Sequence, residues 1–417
     1  MLREMLAQSW ANLRRNRARS ALTMLGIVWG VVAVTVLMAY GGGFRQVLVR
    51  SFYAFGQSVV VCYRGETSEQ AGGERAGRVI RFEKADREVV LAEATMVREV
   101  SLETVRLEPM AAGDRLVNAW VRAVHPEYGR IRNEVASVGR WISPEDLIER
   151  RRVVFMGDRL REKVFGARPA VGETVRIAGL RFTVVGVMDR KLTPSSYYAS
   201  DDESAFIPFS AAGDIWDTRY VDVFLFSAVA PALEPLAMEQ VRAAIAKRQR
   251  FSPTDKRAIR MYGREQYRPV IDGITIGLQI LLVFVGTLTL GIGGVGVANI
   301  MLVSVDERIR EIGLRRALGA RRRHIRAQFL AEALLLTLLG GAIGIMVAFF
   351  VAAAIGALPL LGPIFHDDSG KGDLQLAISP FMVLVSTLIL VMVGVVSGLV
   401  PAIRASHLDP VEALRYE

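Results

Sequence analysis

Histidine and cysteine, two residue types that often carry out catalysis or hold metals, are few and scattered in this 417-residue chain. Its histidines lie at His125, His324, His366 and His407, without the short spacings at which side chains share a zinc ion. His366 with Asp367 and Asp368 could contact a cation, as could the DDES stretch from Asp201 to Ser204, but a solvated loop is the more ordinary explanation of both. The sequence therefore predicts neither a metal site nor a catalytic residue.

Motifs of covalent and phosphate chemistry are missing as well. The sequence has no G-x-S-x-G, no H-E-x-x-H and no G-x-x-x-x-G-K-[ST] loop, and SGKG at Ser369 lacks the first glycine and a preceding strand. The lone Cys62 cannot form an intramolecular disulfide, and its place in the apolar alternation of QSVVVCY predicts a buried strand residue rather than a reactive thiol. We expect a non-enzymatic chain that binds no cofactor and does not hydrolyse ATP by itself.

The most distinctive charge pattern is the arginine-rich run SVDERIREIGLRRALGARRRHIRAQF, which begins at Ser304. With the net charge of +10 it could indicate nucleic acid, but no nucleic-acid module accompanies it. Asp306 precedes Arg310, and Glu311 precedes Arg315, by the four residues that favour a helical ion pair. We therefore predict a short helix in the run.

This short helix is expected from about Glu307 to Leu318, with Gly319 as its stop before ARRRHIRAQF begins the next helix. Its apolar residues are Ile309, Ile312, Leu314, Ala317 and Leu318. Attachment to lipid requires only charge, whereas so much apolar surface favours a protein partner. Four of these residues, Ile309, Ile312, Leu314 and Leu318, are predicted to contact that partner.

The segments around this run are apolar enough to cross a membrane. Hydrophobic residues make up 52% of the chain and its mean hydropathy is +0.31, unlike an ordinary soluble protein. Stretches long enough for a hydrocarbon core of about 30 Å lie at 21–40 and at about 273–303, 329–358 and 381–402. We interpret the first as a retained anchor, because its apolar core is too long for a signal peptide.

The distribution of arginine predicts the orientation of these spans. Arg14, Arg15, Arg17 and Arg19 precede the first span, and the arginine-rich run joins the second to the third. The loop GPIFHDDSGKGD between the third and fourth spans is acidic. Because basic flanks stay in the cytoplasm, both termini and the run are expected inside and the long segment after the first span outside.

The chain begins with an apolar stripe of Leu2, Leu6, Trp10 and Leu13, typical of a helix on the inner leaflet, although an extension of the first span is the alternative. The predicted segments are a cytoplasmic interfacial helix (1–18), transmembrane helices (19–43, 269–305, 327–358 and 379–403), an extracytoplasmic domain (44–268) with an inserted lobe at about 111–220, a cytoplasmic segment (306–326), a short extracytoplasmic loop (359–378) and a cytoplasmic tail (404–417).

The large extracytoplasmic segment contains patterns of both strands and helices. Strands are predicted at VVVCY, VSLETVRLEPM, RLVNAWVRAV and ETVRIAGLRFTVVGVM, the last as a hairpin that turns at Ala178–Gly179. Helical spacing occurs at about 84–95, 157–165 and 237–248. The predicted fold class is a membrane protein with four transmembrane α-helices and an α+β domain between the first two.

Small residues at helical spacing recur in every span. They are Gly26, Gly30, Gly294, Ala298, Gly340, Gly344, Gly394 and Gly398. Such pairs allow helix backbones to approach closely in lipid. They predict tight packing, within the chain or across a dimer. Ionisable groups such as Asp272 and Glu332 fall near span ends, where an interfacial position is expected, so the spans show no polar pathway of the kind a channel needs.

Several long motifs together resemble one known family. DERIREIGLRRALGARRRHIRAQFLAEA, preceded by GIGGVGVANIMLVSV, is similar to the signature of MacB-type (FtsX-like) ABC transporter permeases. LTMLGIVWGVVAV resembles the first span of that family, GDRLREKVFG with VGETVRIAGLRFTVVGVM its periplasmic core domain, and PAIRASHLDPVEALRYE its C-terminus. The motifs keep the family order over nearly the whole chain.

The resemblance implies type VII ABC architecture in the bacterial inner membrane: a homodimer or related heterodimer of four-span permeases, each with a periplasmic domain of porter and sabre lobes. It implies a coupling helix that rests on an ABC ATPase, which binds ATP and Mg²⁺. The implied coupling residues are Glu307, Arg308, Ile309, Glu311, Ile312, Gly313, Leu314, Arg315, Leu318, Gly319 and Ala320. Because the exporter that names the family has a fused ATPase and these residues contain none, a separate ATPase subunit is expected.

The resemblance further implies mechanotransmission, in which ATPase motion moves the periplasmic domains, and efflux of a substrate from the periplasm or outer leaflet. A periplasmic adaptor and an outer-membrane duct would accompany efflux. Two alternatives stay open: an envelope regulator that transmits motion to a periplasmic cell-wall hydrolase, and a membrane-anchored binding or sensor protein. A hydrolase partner would favour the first alternative, and the absence of an ATPase the second. The sequence does not name the cargo.

Overall fold

The computed structural model describes residues 17–191, 197–365 and 370–415. The chain divides into two compact units. The first, here the bundle, takes in the chain up to Val47, Gly273–Leu360 and the chain from Asp373 onward. The second, here the sheet domain, consists of Leu48–Asp272 and Leu361–Gly372. The interfacial helix predicted at 1–18 lies outside the described residues except for its last two.

Helices occur throughout both units. They are α1 (Arg17–Ala54), α2 (Lys84–Glu93), α3 (Glu127–Ile131), α4 (Pro144–Ile148), α5 (Asp158–Phe165), α6 (Phe209–Ala212), α7 (Glu234–Gln249), α8 (Arg268–Glu307), α9 (Ile309–Ala317), α10 (Arg322–Ile355), α11 (Gly362–Phe365), α12 (Pro380–His407) and α13 (Pro410–Arg415). Four of these, α1, α8, α10 and α12, are long and apolar enough to cross a membrane, which confirms the predicted spans.

The helices extend beyond the apolar stretches that predict them. Helix α1 continues to Ala54 and α8 begins at Arg268, so their apolar cores form only part of each helix. Hydropathy marks the stretch that suits lipid, whereas backbone hydrogen bonding decides where a helix ends. Ser379 caps α12, because its hydroxyl accepts a hydrogen bond from the Met382 N–H at 3.3 Å.

Glycines bring the four long helices together within one chain. A Cβ atom on Gly30 of α1 would lie 2.9 Å from the Leu290 Cα of α8, and one on Gly344 of α10 would lie 2.8 Å from the Val31 Cβ of α1. The other predicted glycines, Gly26, Gly294, Gly340, Gly394 and Gly398, likewise face a neighbouring helix. Ala298 is half-buried. The glycine pattern is therefore explained by packing inside the bundle.

Strands build one large mixed sheet in the sheet domain. The strands of both units are β1 (Val59–Arg64), β2 (Phe82–Glu83), β3 (Val97–Ala112), β4 (Arg115–Val124), β5 (Ala136–Gly139), β6 (Val153–Met156), β7 (Thr174–Ile177), β8 (Leu180–Met188), β9 (Ser204–Pro208), β10 (Tyr220–Val221), β11 (Val223–Ala228), β12 (Ile259–Gly263), β13 (Ala357–Pro359) and β14 (Asp373–Gln375). Strands β2 and β10 form a separate two-stranded sheet, and so do β13 and β14, which lie in the bundle. The main sheet has the order β12-β1-β11-β3-β4-β9-β6-β8-β5, and β7 joins β3 and β8. Its pairs are antiparallel except β4–β9 and β6–β8, which are parallel.

The predicted α+β character of this domain is confirmed. Strands β7 and β8 form the expected hairpin, and Ala178 and Gly179 both have positive φ at the turn. Helices α2, α5 and α7 occupy the segments with helical spacing to within three residues. The border predicted for an inserted lobe at residue 111 falls inside β3, which pairs with β4 from Glu103 to Ala112, so both sides of that border belong to one sheet.

The interior of the sheet domain combines apolar side chains with buried charge. Cys62 is fully buried among them, as predicted, and burial raises the pKa of its thiol. Arg122 and Arg132 are also fully buried. Asp201 lies 2.6 Å from Arg132 and 3.3 Å from Arg122, and these cations lower the pKa of its carboxyl against the opposing effect of burial. Their charges form one network inside the domain.

Candidate coupling site

The arginine-rich run folds as a short helix between two breaks. Helix α8 ends at Glu307, Arg308 leaves helical geometry with φ −119° and ψ 19°, and α9 then runs from Ile309 to Ala317. The predicted short helix is confirmed, but its start is wrong by two residues. Because the break separates Asp306 from Arg310, the expected i,i+4 pair between them is also wrong.

Gly319 ends α9 as predicted. Its φ of +92° is a left-handed conformation that glycine adopts without strain. Beyond it the Ala320 N–H donates to the Arg315 carbonyl at 3.0 Å, and the Gly319 N–H donates to the Arg316 carbonyl at 3.1 Å. This pattern satisfies the last carbonyl groups of α9 and turns the chain into α10.

The inner face of α9 is packed against the rest of the bundle. Ile312 is only 3% exposed and belongs to the apolar core of the bundle. Gly313 faces Ala413 of α13, where an added Cβ would lie 2.6 Å from the Ala413 Cβ. Ile312 therefore packs inside the bundle and offers no exposed surface for the predicted contact with a partner. Gly313 is buried as well, where α9 meets α13 of the same chain.

Ion pairs fix α9 and its flanks to neighbouring helices. Arg308 contacts the buried Glu332 of α10 at 3.3 Å, so Glu332 anchors the break. Arg315 contacts Glu311 at 2.6 Å, which confirms that predicted pair, and also donates to the side chain of Gln328 at 2.8 Å. These contacts join α9 to α10.

A second set of contacts involves the C-terminal tail. Asp306 lies 3.3 Å from Arg404 of α12, and Arg326 donates to the Ser406 hydroxyl at 2.9 Å. Asp409 caps α13, because its carboxylate accepts a hydrogen bond from the Val411 N–H at 2.8 Å. No pattern in the sequence predicts that α13 lies beside α9. The small residues that permit the contact between α9 and α13 have no charge or periodicity from which it could be predicted.

The outer faces of α9 and α13 expose apolar side chains. Leu318 is 80% exposed, Leu314 is 53% exposed and Val411 is 65% exposed. Of the four residues predicted to contact a partner, Leu314 and Leu318 are thus available, Ile309 is half-buried and Ile312 is not available. We call the surface of Leu314, Leu318 and Val411 the platform.

Of the two candidate cation sites from the sequence, the structure describes the one at Asp201 to Ser204. Among the described residues no group of three or more His, Cys, Asp or Glu side chains could hold a metal ion. Asp201 and Asp202 are buried and paired with basic side chains, so the expected solvated loop at that position is wrong. The stretch from His366 to Asp368 lies outside the described residues. His125 is buried in the sheet domain, and burial lowers its pKa to about 3.

Comparison with protein families matches both units. A model of the MacB-like periplasmic core domain matches residues 20–248, and a model of the FtsX-like permease C-terminal region matches residues 283–410. The first of these covers more than half of the chain. Four apolar helices and this match indicate an inner-membrane protein with a periplasmic domain.

Individual relatives give the same result. The Macrolide export ATP-binding/permease protein MacB of Bdellovibrio bacteriovorus is 30% identical over 416 residues, which are 99% of this chain and 62% of that protein. The protein of the same name from Chlorobaculum tepidum is 31% identical over 421 residues, covering 99% of this chain and 61% of that protein. The chain thus spans less than two thirds of the length of these relatives.

The periplasmic region of MacB from Actinobacillus actinomycetemcomitans aligns with a TM-score of 0.41 and 14% identity over 54% of this chain and 98% of that structure. The two family matches fall in the expected order: the match to the periplasmic core domain begins inside α1, and the match to the permease region contains α9, α10 and α12. The arrangement is consistent with type VII ABC architecture. The chain belongs to the MacB-like, FtsX-like family of ABC transporter permeases.

Proposed function

We propose that this chain is the non-catalytic permease subunit of an ABC transporter and that the platform receives the movement of its ATPase. The observation that carries the proposal is the contrast between the two faces of α9. Leu314 and Leu318 are exposed on one face, whereas Ile312 and Gly313 on the other face are buried inside the bundle. An apolar patch that is rigidly supported from behind suits a partner that pushes on it.

The contacts behind the platform lead to three long helices. Arg308 and Arg315 join α9 to α10, and Ala413 joins it through α13 to α12. Helix α8 ends directly before α9 and is continuous for 40 residues, a length of about 60 Å. Movement of α9 would therefore displace the ends of α8, α10 and α12 together. This supports mechanotransmission to the periplasmic domain, with substrate handled outside the membrane.

The proposal includes the partners and orientation that such a mechanism needs. The platform and both termini face the cytoplasm, where a separate ABC ATPase binds ATP and Mg²⁺, and this chain binds no cofactor. Two permease copies form the membrane part. Efflux is the proposed outcome because the relatives are named as macrolide export proteins. No phosphate-loop motif occurs in these 417 residues, so the ATPase activity is assigned to a domain outside them.

A photo-crosslinking amino acid at position 318 tests the platform directly. Leu318 is exposed, so replacing it leaves the core intact. We expect a crosslink in growing cells to a protein that contains an ATP-binding cassette, identified by mass spectrometry. Position 116 provides a matched control, because Leu116 is also exposed but lies on the sheet domain. An ATPase crosslink from position 116 and none from position 318 would contradict the proposal.

The orientation is tested by cysteine labelling. The chain has one cysteine, the buried Cys62, so the labelling of an introduced cysteine can be measured without removing Cys62. We expect a membrane-impermeant maleimide to label Leu116→Cys from the periplasmic side and Leu318→Cys only in inverted vesicles. The opposite labelling pattern would place the platform outside the cytoplasm and exclude an ATPase partner there.

A further inference from the structure

The sheet domain has a cleft lined mainly by basic side chains, here called the basic cleft. Its volume is about 650 Å³. Its cationic lining residues are Arg64, Arg81, Lys256, Arg257 and Arg260. Glu66 is the one acidic side chain among the described lining residues. The formal charge of the lining is therefore strongly positive.

Strand pairing brings these cations together. β1 ends at Arg64 and pairs antiparallel with β12, so that Tyr63 lies opposite Arg260 and Arg64 opposite Ile259. Lys256 and Arg257 lie directly before β12 in the chain. The basic cleft is thus a fixed part of the sheet edge rather than a chance meeting of long surface side chains.

The cations of the basic cleft lack the acidic partners found elsewhere in the domain. In the part of the chain that the structure describes, none of the five forms an ion pair within 4.0 Å. The nearby carboxylate of Asp255 is held by backbone N–H groups, those of Ser68 at 2.6 Å and Arg257 at 3.0 Å. Arg81 lies over the ring of Tyr220 at 5.1 Å. Crowded like charges are costly unless an anion offsets them.

An aromatic pocket adjoins the basic cleft and shares Arg260 with it. This second cavity also measures about 650 Å³. Its aromatic lining residues are Phe52, Phe55, Tyr63, Tyr197, Tyr262 and Tyr267. Tyr63 and Tyr262 meet edge to face with their ring centroids 5.8 Å apart. Apolar and aromatic surface therefore begins where the basic surface ends.

We propose that the two cavities together bind an amphipathic phosphate ester, with its phosphate in the basic cleft and its apolar body against Tyr63 and Tyr262. Guanidinium groups bind phosphate oxygens with two parallel hydrogen bonds, and each phosphate brings a charge of about −1.5 to −2. Each cavity has a volume within the range of about 300–1,000 Å³ typical of small-molecule sites. The inference depends on the sheet domain alone and goes beyond the proposed coupling to an ATPase.

Calorimetry on the full chain in phosphatidylcholine nanodiscs tests this site. The probe is 1-naphthyl phosphate, compared with inorganic phosphate and with 1-naphthol. We expect the naphthyl phosphate to bind most tightly, because it alone carries both a phosphate for the basic cleft and an aromatic body for the second cavity. Tyr262→Ala should weaken the binding of 1-naphthyl phosphate but leave the binding of inorganic phosphate unchanged, since Tyr262 is absent from the lining of the basic cleft.

A charge-reversal variant separates the basic cleft from general surface charge. The double variant Arg81→Glu, Arg257→Glu should lower the affinity for 1-naphthyl phosphate by about tenfold or more, which is equivalent to the loss of one charged hydrogen bond. Arg176→Glu with Arg181→Glu is the matched control, because these exposed arginines face each other on the β7–β8 hairpin and line neither cavity. The control should bind like the unaltered chain.

The outcomes distinguish the sources of the phosphate. Weaker binding of 1-naphthyl phosphate in nanodiscs rich in phosphatidylglycerol would support a lipid headgroup as the natural occupant. Unchanged binding would support a soluble phosphate ester. Equal affinity for 1-naphthol and its phosphate would overturn the proposal. So would binding of an oligo-aspartate peptide that depends on Arg81 and Arg257 while no phosphate compound binds. Neither result involves the platform, so failure here is separate from failure of the ATPase proposal.

Discussion

In the bundle, helices meet where side chains are absent, whereas the sheet domain fills its interior with large side chains and buried charges. Gly30 lies against the backbone of Leu290 in the bundle. In the sheet domain, Arg122 is fully buried and contacts Glu103 and Asp201, each at 3.3 Å. The two regions use different chemistry because their solvents differ.

A helix in lipid gains little from burying apolar side chains, since lipid tails are as apolar as the core. Close backbone approach, which glycine allows, then supplies the packing energy. The sheet domain folds in water, where apolar burial is favourable and buried ions must be paired. The comparison predicts that deleting a charge damages the sheet domain most, and that adding a side chain damages the bundle most.

Arg122→Met should give the largest loss of stability. It leaves the carboxylates of Glu103 and Asp201 with one less cation in a site without solvent, a change that costs about 3–5 kcal/mol. Hydrogen–deuterium exchange of the full chain should show faster exchange in β3 and β4. Arg219→Met is the control, since Arg219 is exposed. If both variants exchange alike, the buried network is not a stabilising element.

Gly30→Val should cause the next largest loss of stability, about 1–3 kcal/mol, because the new side chain would clash with the backbone of Leu290, which cannot move aside. The loss is measured as a lower midpoint in a sodium dodecyl sulfate titration of the purified chain. Gly291→Val on α8 is the matched control, because a Cβ atom there has nothing within 4 Å. An equal loss from both would mean that helix propensity, and not interhelical contact, explains the glycines.

A smaller effect should appear as a dependence of sheet-domain stability on pH. The carboxylate of Glu234 accepts hydrogen bonds from the Glu265 N–H at 3.1 and 3.2 Å, yet burial and the Glu265 charge raise its pKa to about 7 from 4.5. A raised acid pKa means that the folded state binds the proton more tightly. The associated stability is present below pH 4.5 and is lost as the pH rises through 7.

Glu234→Gln removes this titration. The variant should lose less stability than the unaltered chain between pH 5 and pH 7, measured as thermal midpoints in matched buffers. Part of the dependence should remain, because burial also raises the pKa of Glu134 to about 7 despite its contact with Lys191. An identical pH profile for the two proteins would show that Glu234 titrates normally in the folded state.

The same comparison explains what could be predicted from the sequence. The spans, the β7–β8 hairpin and the stop at Gly319 follow from local patterns, namely hydropathy, turn residues and a glycine after a helix. The burial of Gly313 could not be predicted, because it depends on Ala413 of α13, which comes about a hundred residues later in the chain. The burial of Asp201 likewise depends on Arg122 and Arg132, and no local pattern in the sequence predicts that these two arginines are buried.

The smallest effect is expected where charge lies on the surface of the bundle. Glu311→Gln removes the pair with Arg315, which is partly exposed and keeps its hydrogen bond to Gln328. Exposed helical pairs contribute only about 0.3–0.5 kcal/mol, so the thermal midpoint should fall by less than about 2 °C. Because Arg308 still contacts Glu332, the break before α9 should persist and crosslinking from position 318 should be unchanged. A loss as large as that of Arg122→Met would mean that the bundle depends on ion pairs as strongly as the sheet domain does.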